Sequence, residues 1–309
     1  MKPVIRIATR TSPLALWQAN AVCMQLQQVG NECRLVSITS TGDVDLVKPI
    51  YELGVQGVFT KELDTALLKN EADMAVHSLK DVPIVPAAGL SIAAVLKRAS
   101  WKDVLLYKST LPENKNNFTL ATSSIRRKAQ WLQRYPSHTL VNVRGNIGTR
   151  ITKFLESDWD GMLMAEVALH RLDLSYVQAI PLDWMLPAPA QGAIGIVCRE
   201  NDKHAKQILK NLNHETTYRE VMAERQFLYA LKGGCSAPIS ALVEITNDTL
   251  HFRGAVHSMD GSRDERVESE QHMDDWQLTG SEAAHKILNT ENGSAILKEI
   301  LQNRPGFQV

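Results

Sequence analysis

Residues 120–143, LATSSIRRKAQWLQRYPSHTLVNV, contain the alternation that decides the fold class. The apolar run that ends at residues 120–122 predicts a strand, and residues 123–135 follow a helical period with Ser123 and Ser124 as candidate N-caps. Residues 139–143 predict the next strand. A strand, a helix and a further strand in so short a stretch are typical of an α/β sheet.

The same alternation extends in both directions from this stretch. Upstream, the predicted strands and helices are at residues 4–8, 13–30, 34–39, 59–70, 73–76 and 91–96. Downstream, they are at residues 147–157, 161–164, 166–171 and 193–197. The last third has predicted helices at 218–231 and 283–301 around two predicted strands at 239–246 and 249–257. The sequence therefore predicts two α/β domains followed by a smaller α+β domain.

Composition limits the class of protein. The 309 residues are 44% hydrophobic and 22% charged, which suits a globular protein of two or three domains. No run of eighteen apolar residues predicts a membrane span, and Arg6 and Arg10 interrupt the start of the chain where a signal peptide would be apolar. These features predict a cytoplasmic protein that binds no membrane.

The cysteines form no C-x-x-C pair, which argues against zinc ribbons and against a disulfide scaffold. Cys23, Cys33 and Cys198 are interpreted as inert side chains on helices and strands. Asp43 and Asp45 lack a third ligand, so no metal site is predicted.

The net charge of zero conceals a basic segment. Residues 114–155 contain eight Lys and Arg and no Asp or Glu. This segment predicts an anionic ligand. Binding of nucleic acid through residues 114–155 is an alternative hypothesis, although the whole chain lacks the basic pI of nucleic-acid-binding domains.

Two strand-to-helix junctions concentrate this positive charge. In TSSIRRK, Arg126 and Arg127 fall in a first helical turn, where cations are unfavourable to the helix dipole unless an anion is present. In VRGNIGTR, Arg144 ends a predicted strand, Gly145 permits close approach of a ligand, and Arg150 follows one turn later. A solvated basic face would also explain these residues, but two such junctions favour an anion site.

VHSLKDVP places polar side chains after a buried strand, where open α/β sheets bind ligands. Asp81 there is a candidate general acid or base, and it is equally compatible with a turn carboxylate before Pro83. His77 by itself is interpreted as structural. In LKGGCSAP, two glycines precede Cys235, which weakly indicates a reactive or modified thiol, and a simple turn is the usual alternative.

These segments occur in the order found in porphobilinogen deaminases. The matching motifs are RIATRTSPLALWQA, STGD, GVFTKELD, ADMAVHSLKDVP, ATSSIRRKAQ, VRGNIGTR, PAPAQGAIGI, ETTYREVMAER and LKGGCSAPI. The chain therefore resembles this family from Arg6 to about Ile239, with a looser similarity as far as Ser262. The resemblance implies two lobes like those of type II periplasmic binding proteins. Domain 1 is then residues 1–97 and 193–212, domain 2 is residues 100–188, and domain 3 is residues 215–309.

The resemblance also implies an activity and a cofactor. Family members condense four porphobilinogen units head to tail with loss of ammonia, and water then releases hydroxymethylbilane. The pyrrole chain grows on a dipyrromethane that is joined by a thioether to a cysteine, here Cys235. A monomer is expected from the family alone. A cytoplasmic small-dianion-binding protein with a two-lobed cleft and no catalysis is the main alternative.

The resemblance assigns site residues one by one. The catalytic carboxylate is Asp81. The cofactor-binding residues are Cys235, Ser78, Lys80, Asp81, Thr122, Ser124, Arg126, Arg127, Arg144, Gly145 and Gln191. The substrate-binding residues are Arg10, Ser12, Phe59, Arg150 and Arg171.

The chain departs from the family pattern at five positions. The loop at residues 40–58, interpreted as a lid, has Glu52 and Gln56 where two lysines are usual. Glu166 and Ala168 replace valine or threonine and glycine, and Ala190 replaces a glycine. None of these positions is one of the assigned site residues.

Overall fold

The computed structural model describes residues 3–39, 60–108, 111, 115–175, 177–234 and 237–302. The predicted lid at 40–58, Phe59 and Cys235 lie outside these described residues. The described chain forms two compact units, one with residues from 3 to 99 and from 192 to 218, and one with residues from 100 to 191 and from 219 to 302. Each unit contains its own hydrophobic core.

The first unit is built on a five-stranded sheet. Its strands are β1 (Ile5–Arg10), β2 (Cys33–Ile38), β3 (Met74–Ser78), β4 (Leu90–Val95) and β10 (Ile194–Arg199), in the order β2-β1-β3-β10-β4. β1 is parallel to β2 and β3, whereas β10 is antiparallel to β3 and β4. Its helices are α1 (Pro13–Gln28), α2 (Lys61–Leu68) and α6 (Lys203–Lys210). α1 buries Ala19, Val22 and Leu26, whose spacing places them on one helix face.

The sheet of the second unit repeats this pattern. Its strands are β5 (Asp103–Tyr107), β6 (Thr119–Ala121), β7 (Thr139–Val141), β8 (Gly161–Ala165) and β9 (Ala179–Pro181), in the order β7-β6-β8-β5-β9. β6 is parallel to β7 and β8, and β5 is antiparallel to β8 and β9. Its helices are α3 (Ile125–Arg134), α4 (Ile147–Glu156) and α5 (Glu166–Arg171). The predicted α/β class is confirmed.

The C-terminal part is α+β, as predicted. β11 (Ile239–Thr246), β12 (Thr249–His257) and β13 (Asp264–His272) form an antiparallel sheet, with helices α7 (Glu215–Ala230), α8 (Trp276–Leu288) and α9 (Glu291–Gln302). The sequence pattern did not predict β13. This strand, DERVESEQH, is mostly polar, and Val267 is its only buried residue. The single helix predicted at residues 283–301 is wrong, since two helices meet at Asn289 and Thr290.

Buried polar contacts tie the C-terminal sheet to the second lobe. Gln130 donates to the Ser240 hydroxyl at 3.0 Å. The buried Glu224 carboxylate accepts from the Ala190 amide at 2.6 Å and from the Val243 amide at 2.8 Å. Both parts therefore fall in one compact unit, and the division into three domains stays a prediction.

Ala190 has a left-handed backbone conformation, with φ of 63°. A residue with a Cβ atom adopts this conformation at a free-energy cost of about 1 kcal/mol or more, whereas glycine does not. This difference is the physical reason for the glycine that is usual at this position in the family.

Cys23 and Cys33 form a disulfide, so their interpretation as inert thiols is wrong. Cys23 lies in the second half of α1, and Cys33 is the first residue of the neighbouring strand β2. The short turn between the two elements brings their Cα atoms to 5.9 Å, within the range that a disulfide can bridge.

Reducing this disulfide is expected to lower the free energy of unfolding by about 3 kcal/mol, because the cross-link closes a loop of about ten residues in the unfolded chain. Denaturant unfolding with and without reductant measures the difference. The double variant Cys23→Ser/Cys33→Ser serves as the control, since reductant should not change its stability. Free thiols at both positions in oxidised protein would contradict the expectation.

Candidate active site

A cavity of about 60 Å³ lies at the carboxyl edge of the parallel strands of the first sheet. It is lined by Arg10, Ser12, Leu14, Ala15, Gln18, Val76, His77, Ser78 and Asp81. The structure therefore brings together four predicted site residues of this unit: Arg10, Ser12, Ser78 and Asp81. Lys80 lies beside them in the turn that contains Asp81.

Local sequence explains how these side chains reach one edge. β1 ends at Arg10, and Ser12 occupies the N-cap position of α1 with an extended backbone. β3 ends at Ser78 and continues into a 3-10 turn, Leu79–Asp81. The buried Leu79 fixes this turn, since its amide donates to the Ala193 carbonyl at 3.0 Å. The buried Leu79 thus fixes the turn that brings Asp81 to the cavity.

Gln18 is a cavity residue that sequence reasoning missed. Its amide nitrogen donates to the Ser78 hydroxyl at 2.8 Å, which joins α1 to the end of β3. Gln18 is 2% exposed although it is polar. Its position could have indicated this role, because Gln18 is a polar residue six positions after Ser12 on a helix whose buried face is otherwise apolar.

His77 also lines the cavity, although it was interpreted as structural. The residue is 5% exposed, and its Nε2 has no hydrogen-bond partner among the described residues. Burial, and to a lesser extent the charge of Arg10, lowers the pKa of His77 to about 4. A neutral imidazole therefore faces the cavity at neutral pH, where it can donate one hydrogen bond and accept another.

The five predicted site arginines of the second unit follow the carboxyl ends of its three parallel strands. Arg126 and Arg127 begin α3 after β6, Arg144 and Arg150 flank the start of α4 after β7, and Arg171 ends α5 after β8. Because parallel strands end at one edge of their sheet, these helices start there together.

Asp103 supplies the anion beside Arg126 and Arg127. Arg126 Nη2 donates to one carboxylate oxygen at 2.7 Å, and Arg127 donates to the other from Nε at 3.0 Å and from Nη2 at 2.7 Å. Sequence reasoning attributed these first-turn cations to a bound ligand, and the structure provides a carboxylate of the chain itself. The sequence feature that could have indicated this partner is an acidic residue at the start of the otherwise apolar strand DVLLY.

Other predicted residues have local partners. The Ser124 hydroxyl caps α3 by accepting from the Arg127 amide at 3.4 Å, and Thr122 accepts from the Ser124 amide at 3.3 Å. Gln191 donates to Asp103 at 2.9 Å and to the Trp101 carbonyl at 2.8 Å.

Gly145 has a φ of 118°, and an added Cβ would lie 2.7 Å from Thr149. The start of α4 thus requires glycine for its own geometry. Arg150 Nε donates to the Gly145 carbonyl at 2.7 Å, which fixes the turn before the helix.

In the part of the chain that the structure describes, no three His, Cys, Asp or Glu side chains are grouped to hold a metal ion. No helix in the same ranges is long and apolar enough to cross a membrane.

Comparisons with known proteins agree with the motifs. A family model described as porphobilinogen deaminase, dipyromethane cofactor binding domain, matches residues 5–207, and one described as porphobilinogen deaminase, C-terminal domain, matches residues 218–289. The porphobilinogen deaminase of Chloroherpeton thalassium (strain ATCC 35110 / GB-78) is 41% identical over 269 residues, which cover 85% of this chain and 86% of that protein.

Solved structures with some similarity include the VFT2 domain of Bordetella pertussis BvgS, with a TM-score of 0.43 and 16% identity over 68% of this chain and 87% of that one. The methionine-binding protein MetQ has a TM-score of 0.42 and 11% identity over 72% of this chain and 89% of that one. The two family models and the curated relative show the family: the chain belongs to the porphobilinogen deaminases.

Proposed function

We propose that this chain performs its family's reaction with Asp81 as the catalytic carboxylate and Cys235 as the attachment point of the cofactor. The enzyme is a transferase, a hydroxymethylbilane synthase, and its cofactor is dipyrromethane. The observation that carries the assignment of Asp81 is the cavity that it lines together with Arg10, Ser12 and Ser78. A carboxylate and a guanidinium in one small site suit a substrate that carries acid groups and develops positive charge.

The described residues fit a carboxylate-rich pyrrole ligand. Arg126 is 4% exposed, and its Nε has no hydrogen-bond partner among the described residues. Burial lowers the pKa of Arg171 to about 10, although this still leaves the side chain cationic at neutral pH. Buried cations are costly unless anions compensate them, and an arginine fork matches carboxylate geometry.

The chemistry of the cavity follows from these groups. When bound, dipyrromethane supplies the pyrrole to which porphobilinogen units are added. We expect the Asp81 carboxylate to hold pyrrole N–H groups and to stabilise the positive charge that develops as ammonia leaves. We expect Arg10 to bind a substrate carboxylate, since its guanidinium lines the same cavity. Ser12 and Ser78 would then orient the substrate by hydrogen bonds.

The remaining assignments rest on the motifs and on the positions described above. Cofactor contacts are proposed for Lys80, Thr122, Ser124, Arg126, Arg127, Arg144, Gly145 and Gln191. Substrate contacts are proposed for Arg150, Arg171 and Phe59, the last of which lies outside the described residues. A monomeric state, a cytoplasmic location, and no binding to membranes or nucleic acid are proposed from the sequence and the resemblance.

Intact mass under denaturing conditions tests the central claim, because only covalent groups survive denaturation. Protein made in cells with a working tetrapyrrole pathway should be heavier than its sequence by two deaminated porphobilinogen units. The peptide that contains LKGGCSAPI should hold this increment. Added porphobilinogen should produce a ladder of equal further increments.

Two cysteine variants complete this experiment. Cys235→Ala should lose both the adduct and the activity. Cys198→Ala should keep both, because Cys198 is fully buried in β10 and burial raises the pKa of its thiol. A wild-type mass equal to that of the bare sequence would defeat the proposal and favour the small-dianion-binding protein.

A further inference from the structure

We infer that Asp103 is a positioning residue that holds Arg126 and Arg127 ready for a carboxylate of the pyrrole ligand. This inference rests on the proposed function, because it needs the two arginines to bind that ligand. Asp103 is the first residue of β5 and pairs with Ala165 at the end of β8. It therefore lies at the sheet edge where α3 and its two arginines begin.

The carboxylate of Asp103 has well-defined hydrogen-bond partners. The residue is fully buried, and its carboxylate accepts hydrogen bonds from Arg126, from two nitrogens of Arg127 and from Gln191. Four charge-assisted or amide bonds on two oxygens fix the planes of both guanidinium groups. Arg126 Nη1 also donates to the Leu186 carbonyl at 2.6 Å, and Arg127 Nη1 to the Leu163 carbonyl at 3.2 Å.

Among the described residues, these contacts leave a surplus positive charge and several N–H donors of Arg126 and Arg127 without an acceptor. Each guanidinium has five N–H groups, and these contacts occupy two on Arg126 and three on Arg127. Two cations against one carboxylate leave one positive charge, while Arg126 and Arg127 are 4% and 8% exposed. Burial lowers the pKa of Arg126 below its ordinary value, and Arg127 adds to this effect while Asp103 opposes it. A ligand carboxylate would balance the surplus.

Asp103→Asn distinguishes a positioning role from a purely electrostatic one, because the two predict opposite changes in the affinity for the anionic ligand. Loss of the negative charge leaves two uncompensated arginines, so electrostatics alone predicts tighter binding of an anionic ligand. Positioning predicts the opposite, because the guanidinium groups lose the partner that orients them. We expect about a tenfold higher KM for porphobilinogen and about tenfold slower adduct formation in apo-protein, followed by denatured mass.

Coupling to Arg127 tests whether Asp103 acts through the arginine. In the Arg127→Leu background, Asp103→Asn should add little to the loss of affinity, whereas independent effects would multiply. Asp103→Glu keeps the negative charge but displaces the carboxylate by a methylene group, so positioning predicts that KM rises a few-fold. This variant decides the question if Asp103→Asn does not fold.

The inference would be overturned by unchanged or tighter binding in Asp103→Asn, or by multiplying effects in the double variant. An unchanged KM in Asp103→Glu would overturn it as well. Failure of the proposed function is distinguishable, since the wild-type protein would then carry no pyrrole adduct at all.

Discussion

Asp81→Asn is expected to lower kcat by about a thousandfold while KM changes little. The asparagine keeps a hydrogen-bond acceptor of similar shape at the cavity, but it removes the negative charge. That charge matters most as positive charge develops during the loss of ammonia, so its removal affects the transition state more than substrate binding. Denatured mass should first establish that the variant carries the cofactor, so that the kinetics report on added porphobilinogen.

Asp73→Asn is a matched control for this experiment. Asp73 lies just before β3, and its carboxylate pairs with Arg6 at 2.7 Å, away from the cavity lining. This variant should lose some stability and keep its turnover. If Asp81→Asn with bound cofactor stayed within a few-fold of wild type, Asp81 would have no part in the chemistry.

Acid is expected to destabilise the folded protein through two buried histidines, His77 and His257. Burial lowers the pKa of each to about 4 in the folded state, against an ordinary value of 6.5. For His257, the charges of Arg266 and Arg126 add to this effect, and Asp264 opposes it. Both ring nitrogens of His257 are buried without a hydrogen-bond partner among the described residues.

The sign of the effect follows from proton binding. A histidine with a lowered folded pKa binds protons more readily when unfolded, so its contribution to stability is complete above pH 6.5 and declines towards pH 4. The loss amounts to about 3 kcal/mol for each histidine. Denaturant unfolding between pH 7.5 and pH 4.5 measures this decline.

Variants isolate the contribution of each ring. His257→Leu keeps a side chain of similar volume. The free energy of unfolding should then fall less steeply with decreasing pH, by the slope that corresponds to about one bound proton. His204→Leu, at an exposed position, should leave the pH dependence as it is in the wild type. An identical decline in His257→Leu and wild type would show that His257 is not titrating in this range.

The sequence by itself determined the architecture and the family. The helical and strand periods around TSSIRRK and VHSLKDVP predicted both α/β sheets, because the strands there bury short apolar runs. The order of the motifs identified the family. The polar strand β13 escaped prediction because Val267 is its only buried residue, so the strand shows no alternating apolar face.

Only the tertiary structure decided which side chains meet. Arg10 and Asp81 are separated by seventy residues, yet parallel pairing of β1 and β3 ends both strands at the same cavity. Asp103 neutralises part of the charge of Arg126 and Arg127 because β5 runs antiparallel to β8 and starts where α3 begins. Local patterns report which face a residue buries, whereas a site depends on strand order and direction, which only the assembled sheet fixes.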